Sequence, residues 1–235
     1  MHGGPMGDAV LEFQQVAVEG GHLYESAIWQ VSFRLARTHL ALVHLEESHL
    51  RIPVADAAHG LVDPVQGSVL FLGKDWSAYS HSEKLAARAK IGRVFDEPGW
   101  ISTLDMDENI TLAQSYHTRR PEAEIRDEAS VLARQFSLPG LPQGKPSSMR
   151  PPDLRRAACV RALLGKPELL ILERPTAGVY PAIMPALMTG VRAARLRGAA
   201  VLWMTDDWNV WNDPGIKPTI RCKMTGSQMS VLPGE

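Results

Sequence analysis

Residues Pro167-Glu168-Leu169-Leu170-Ile171-Leu172-Glu173-Arg174-Pro175-Thr176-Ala177-Gly178-Val179-Tyr180-Pro181 decide the fold. Four consecutive apolar residues, 169 to 172, read as a short strand buried on both faces. The strand ends on a carboxylate and a cation, Glu173 and Arg174. A Pro-Thr-Ala-Gly turn follows, and Pro181 closes the segment.

Outward from this segment, strands alternate with helices. Residues 9–20 alternate apolar and polar side chains as far as the Gly20-Gly21 turn and read as a strand. Residues 29–36 read as a second strand. Residues 40–45, apolar almost throughout, read as a third that is buried on both faces. Residues 67–73 form a strand between glycine turns, and 91–95 a shorter one. Helical spacing covers 81–90, 104–137 (clearest from Glu122 to Phe136), 154–164 and 185–198. Residues 140–152 are a Pro/Gly/Ser-rich loop, and 199–204 a last buried strand. After Asp207 the pattern weakens, and Pro214, Gly215, Pro218 and Gly226 suggest irregular or short-strand structure. The alternation implies an α/β fold with a parallel sheet.

At 235 residues and 45% hydrophobic content the chain can bury a large core, as one domain or as a lobe plus a subdomain. A formal net charge of -1 gives no support for nucleic acid as a main partner. Cys159 and Cys222 lie far apart and read as buried free thiols of a reducing compartment. No apolar run reaches the roughly 18 residues of a membrane span. Residues 1–8 lack a charged-then-apolar signal pattern, so a membrane role requires a separate membrane subunit. The histidines show no metal spacing, and His44 and His49 read as loop residues. Trp203, Trp208 and Trp211 read as packing residues rather than a base-stacking platform.

Taken together, these landmarks resemble the ATP-binding cassette (ABC) ATPases over about residues 9–208. The family pattern PELLLLDEPTAGLDP, its Walker B strand and D-loop, matches 167–181 in the apolar run, the turn and the closing proline. Residues 94–100, Val-Phe-Asp-Glu-Pro-Gly-Trp, resemble the Q-loop pattern VFQEPGL. Residues 147–163 resemble the signature region LSGGQRQRVAIARAL through Arg156, Ala158 and Arg161-Ala162-Leu163. The resemblance implies an ABC-type P-loop ATPase fold with an antiparallel β subdomain and a helical subdomain. The cassette would span 1–208 with its helical insert at about 100–152, leaving 209–235 as an irregular C-terminal segment.

Each position with a phosphate, metal or water duty in the family departs from the pattern. The nucleotide loop, normally glycine-rich so that its amides wrap phosphate, falls on 44–53 and contains no glycine. Glu46, Glu47 and Ser48 stand there, and the lysine position falls on Leu50 or Arg51. A carboxylate, Glu46 or Glu47, could take the place of phosphate at the following helix start. Pro53 delays that helix. The Q-loop glutamine is Asp96. The signature turn reads Met149-Arg150-Pro151-Pro152-Asp153, and its prolines have no amide hydrogens to offer a γ-phosphate. At Walker B, Glu173 replaces the metal-holding aspartate. Arg174 replaces the general base and cannot accept a proton at any usable pH. Asp206 stands in the histidine switch position and Tyr180 in that of the D-loop aspartate. Tyr24 is the nearest candidate for stacking on adenine.

These substitutions point to a pseudo-ATPase: a nucleotide-binding-domain-like subunit that docks to or regulates a membrane permease at the inner face of the cytoplasmic membrane. No catalytic residue, nucleotide cofactor or metal site is expected. Asp96, Glu97, Pro98, Gly99, Trp100 and Glu108, which keep the family's shape, are the expected docking surface. A second cassette subunit, or a second copy, is the expected dimer partner, and nucleic acid is not expected. Within the family the chain is loosely most similar to cassettes of importers and Mce-type lipid transporters. Two alternatives stay open. One is an active ATP-hydrolysing transporter subunit with substituted motifs, for which ATP and magnesium would return as cofactors. The other is a free-standing scaffold pairing with another cassette protein. In the resembled fold the Walker B strand end, the nucleotide loop and the switch position converge, so Arg174 is expected to pair with Glu46, Glu47 or Asp206.

Overall fold

The computed structural model describes residues 8–22, 24–46, 51–97 and 99–232. The first strands are β1 (Ala9–Val18), β2 (Ile28–Ala36) and β3 (Leu40–His44), followed by the short helix α1 (Val54–Ala58). Then come β4 (Gln66–Phe71), β5 (Lys74–Asp75), α2 (His81–Arg88) and β6 (Ile91–Val94). The helical region holds α3 (Met106–His117) and α4 (Glu122–Gln135). The chain continues through α5 (Pro151–Leu163), β7 (Leu169–Glu173), α6 (Met184–Leu196), β8 (Ala200–Thr205), α7 (Trp208–Trp211), β9 (Ile220–Thr225) and β10 (Gln228–Leu232).

Two sheets form. The antiparallel one has the order β2-β1-β4-β5, and the other the order β10-β9-β3-β8-β7-β6. In the second, β9, β3, β8, β7 and β6 run parallel, and only β10 is antiparallel to its neighbour. Strand side chains alternate between faces, so each central strand feeds two cores. Leu170 and Leu172 of β7, with Leu40, Leu42 and Trp203, pack under the helices. Leu169 and Ile171, with Ala41, Val43 and Leu202, pack against the antiparallel sheet. This two-sided burial is why β3, β7 and β8 read as unbroken apolar runs.

Helix ends follow local chemistry. The Ser80 hydroxyl and Glu83 carboxylate cap α2 reciprocally. Pro151 and Pro152 occupy the first turn of α5, so that helix begins three residues before the start expected from apolar spacing. Gly92 lets α5 lie directly on β6, since a Cβ there would stand 1.9 Å from the carbonyl oxygen of Ala162.

Residues 209–232 take the short-strand form, one of the two readings open for them, rather than the irregular one. Ile220, Cys222 and Met224 alternate with Arg221 and Lys223, and β9 lies parallel to β3 with Cys222 and Met224 buried. β10 pairs with β9, and the Trp29 amide donates to the Ser227 carbonyl at 2.8 Å, tying this hairpin to the antiparallel sheet. His44 also differs from its loop reading. It is the buried last residue of β3, its ring tilted against that of Trp208 with centroids 3.9 Å apart.

Candidate functional site

The strand ends of β6, β7 and β8 and the start of α1 surround a cleft of about 520 Å³. Among the described residues its wall carries three guanidinium groups (Arg51, Arg93, Arg174) and five carboxylates (Glu25, Asp56, Asp96, Glu97, Glu173). Glu173 ends β7 with its side chain 16% exposed. Arg93, on the neighbouring strand β6, donates from Nε to Glu173 Oε1 at 2.7 Å and meets Asp56 Oδ1 of α1 with Nη1 at 2.7 Å. The same guanidinium lies 4.3 Å from the Phe95 ring centroid. Tyr24 completes the chain of contacts by donating its hydroxyl to Asp56 Oδ2 at 2.7 Å. Its hydroxyl is therefore committed to a carboxylate.

Arg174 begins the turn after β7 at φ 40°, a left-handed conformation rare for a residue with a side chain. Its amide donates to the Met204 carbonyl on β8 at 3.0 Å, and its carbonyl accepts from Ala177 at 3.0 Å, which pins the turn. The side chain is 10% exposed. Its Nε donates to Asp206 Oδ2 at 2.8 Å and its Nη1 to Asp96 Oδ2 at 2.9 Å. Asp206 is one of the three partners expected from the sequence, and Asp96 is an addition. Glu46 accepts from the Gly226 amide at 3.2 Å, on the side facing the C-terminal hairpin. Glu47, Ser48 and Leu50 lie outside the described residues. Arg51 is exposed and pairs with the still more exposed Glu97 at 3.2 Å.

Electrostatics follow from burial. Desolvation pushes Glu173 above the ordinary carboxylate range, Asp56 and Asp96 adding to the rise, although Arg93 opposes it. Burial works against the charge of Arg93, but Glu173 and Asp56 more than offset it and hold its pKa up. His59, beside Arg93 with Nδ1 3.4 Å from Nη1, is pushed down to about 3 by desolvation and then by Arg93 and Arg88. Its ring is neutral at physiological pH. Desolvation, then Asp56, raises the Tyr24 hydroxyl.

The signature residues lie at the start of α5. Arg150, Pro151 and Pro152 are exposed, while Met149 packs against the helical-side core. Asp153 accepts from Arg150 at 2.9 Å and from Arg156 at 2.8 Å, the ordinary role of a first-turn carboxylate. One turn on, Arg155 reaches back to the carbonyls of Phe95 and Asp96 at 3.0 and 2.8 Å, fixing the loop that carries Asp96.

Among the expected docking residues, Glu97, Gly99 and Glu108 are exposed and Pro98 lies outside the described residues. The Glu108 carboxylate accepts from the Asp105 amide at 2.7 Å at the start of α3. Trp100 is partly buried, with the Arg161 guanidinium 4.2 Å from its ring centroid. Arg93, Asp56 and Arg155 were not singled out from the sequence. For Arg93 a signal existed: an arginine inside a short apolar strand needs a buried partner.

The family model described as ABC transporter matches residues 54–177, more than half of the chain. The phosphonates import ATP-binding protein PhnC 2 of Synechococcus sp. (strain JA-2-3B'a(2-13)) is 31% identical over 151 residues, covering 60% of this chain and 56% of that protein. The intermembrane phospholipid transport system ATP-binding protein MlaF of Haemophilus influenzae is 27% identical over 133 residues, covering 57% and 50%. The chain thus spans about half the length of the curated relatives it matches. Among solved structures, the dimeric bacterial ABC transporter cassette MJ0796 superposes with a TM-score of 0.80 at 18% identity, over 96% of this chain and 100% of that one. At that identity the likeness speaks for the fold, which is the α/β cassette fold. By its family match and its architecture, the chain belongs to the ABC transporter family.

Proposed function

We propose that this chain is a cassette subunit without ATP turnover, which docks to or regulates a membrane permease at the inner face of the cytoplasmic membrane. The observation that carries the reading is Arg174: the residue at the end of β7 is a buried cation held by Asp96 and Asp206. A guanidinium cannot take a proton from water. Glu173, the carboxylate beside it, is already bound to Arg93.

The residues present do not fit ATP and magnesium. The loop after β3 has no glycine between His44 and Pro53. Among the described residues, carboxylates outnumber guanidinium groups in the cleft. Within the cleft Arg93 pairs with Glu173 and Asp56, Arg174 with Asp96 and Arg51 with Glu97. The named relatives are ATP-binding proteins of an import system and of a phospholipid transport system, which supports a transport assembly as the setting. A second cassette, another subunit or a second copy, is the dimer partner in this reading.

Nucleotide binding and hydrolysis of the purified chain with magnesium test the proposal. Turnover no faster than a protein-free blank is expected. Magnesium-dependent turnover that Glu173→Ala abolishes would overturn it in favour of an active subunit. Co-purification from membranes tests the partner. A permease is expected to come along, whereas recovery with another cassette protein alone favours a free-standing scaffold.

A further inference from the structure

Helices α4 and α6 form the two banks of a groove of about 240 Å³, with Leu163 of α5 between them. Gln135 Nε2 donates to the Ala186 carbonyl at 3.1 Å, so the end of α4 meets the approach to α6. The start of α4 and the end of α6 therefore lie together at the other end of the groove. There the two banks carry opposite charge. On α4, Glu124 stands one turn before the groove residue Glu128, and Asp127 lies beside it. On α6, Arg197 lines the groove and Arg192 stands on the outer side. All four of these charged residues, Glu124, Asp127, Arg192 and Arg197, are exposed, and none forms an ion pair among the described residues. Arg192 donates only to the Gly215 carbonyl, at 3.4 Å. Each bank also holds an apolar side chain in solvent. Val131 of α4 is 58% exposed and Leu196 of α6 is 88% exposed.

We infer that a second copy of this chain docks on this face. A two-fold axis running along the groove sets α6 of one copy on α4 of the other, and the reverse. The guanidinium groups of each α6 then face the carboxylates of the other copy's α4, and Leu196 covers Val131, all twice over. Within one copy the two banks stand apart across the groove and do not pair. A rotated copy supplies the missing sign to both. The mixed sign of the face also selects the occupant. An anionic bilayer or a nucleic acid would gain on α6 but be repelled by Glu124 and Asp127 beside it. Neither bank lines the cleft that holds Arg174, so this contact is separate from that cleft, and the inference does not rest on the permease reading.

Sedimentation equilibrium of the whole purified chain tests it. Exposed ion pairs contribute little one by one, so a weak dimer is expected, half formed at about 10–100 μM in dilute salt and weaker as salt is added. Glu124→Lys/Asp127→Lys and Arg192→Glu/Arg197→Glu should each raise the dissociation constant at least about tenfold, because each makes like charges face one another. Mixed in equal amounts, the two variants should associate again, since the reversed α4 of one meets the reversed α6 of the other. Misfolding would not be rescued in this way. Leu196→Asp should also weaken the dimer, with an unchanged circular dichroism spectrum. A chain that stays monomeric at about 100 μM in dilute salt overturns the inference. So does a dimer that both reversed variants retain, a mixture of the two that stays monomeric, or binding to phosphatidylglycerol vesicles in place of self-association. Because the chain is measured alone, the outcome is independent of whether a permease co-purifies from membranes.

Discussion

Arg93 and Glu173 face each other from adjacent parallel strands, joined at 2.7 Å with side chains only 5% and 16% exposed. Asp56 closes the same guanidinium from α1, also at 2.7 Å. Through Asp56 the pair therefore links α1 to the end of β7. Breaking a buried pair leaves a charge without compensation, which costs more than the pair contributes.

Arg93→Leu is accordingly expected to lower stability by about 3–5 kcal/mol in urea denaturation. Replacing Glu173 by leucine as well should recover a substantial part of that loss. A double variant as unstable as the sum of the two single ones would show that the residues do not act as a pair.

Arg174→Glu is expected to restore no hydrolysis and to destabilise the fold. It would set a third carboxylate between Asp96 and Asp206, with a loss of about 2 kcal/mol for a pair of intermediate exposure. An unchanged melting temperature would rule out the ion pairs as a stabilising element.

The backbone of Arg174 can be tested apart from its charge. At φ 40° a Cβ is unfavourable, so Arg174→Gly should be more stable than Arg174→Ala by about 1 kcal/mol. Both variants lose the guanidinium, and their difference reports the turn alone.

His59 sets an acid dependence. Its folded pKa, about 3, lies below the ordinary histidine value near 6.5. The unfolded chain therefore binds a proton that the fold refuses, and stability falls as pH drops from about 6.5 towards 3. The slope is at most about 1.4 kcal/mol per pH unit. His59→Gln should flatten it. Glu173, raised by burial, acts with the opposite sign above the ordinary glutamate value, so wild type minus His59→Gln isolates the histidine. Parallel stability curves would show that His59 does not titrate this way.

Gly92→Ala is expected to cost several kcal/mol or to prevent folding, because the new methyl would overlap the Ala162 carbonyl of α5. Circular dichroism and urea denaturation decide it, and a cost below about 1 kcal/mol would mean that α5 can lift off β6.

The sequence made the central sheet legible because β3, β7 and β8 are buried on two faces, and only continuous apolar runs satisfy that burial. β9 was harder to read. Its Ile220-Cys222-Met224 alternation is present but brief, and Pro218 and Gly226 beside it suggest a loop. The cleft was half legible. Arg174 and Asp206 could be paired because each stands where a known motif has another residue. Arg93 stands in no motif, and its one signal, a charge inside a short apolar strand, implies a buried partner without naming it, since Glu173 and Asp56 reach it only through tertiary pairing. Asp96 was read as a lost glutamine, whereas its carboxylate is one jaw of the clamp on Arg174.

The strand order also governs how the chain can be built. β3, complete by residue 44, has as its two neighbours β8 and β9, which begin at residues 200 and 220. On the ribosome, Leu40–Val43 must wait for more than half of the chain before either hydrogen-bonding edge is covered. Contacts this distant in sequence close slowly, and the waiting strand is an adhesive edge for other nascent chains. The antiparallel layer, made of strands within the first 75 residues, can assemble first and shield one face of β3. Its other face and both edges depend on the arrival of the C-terminal third.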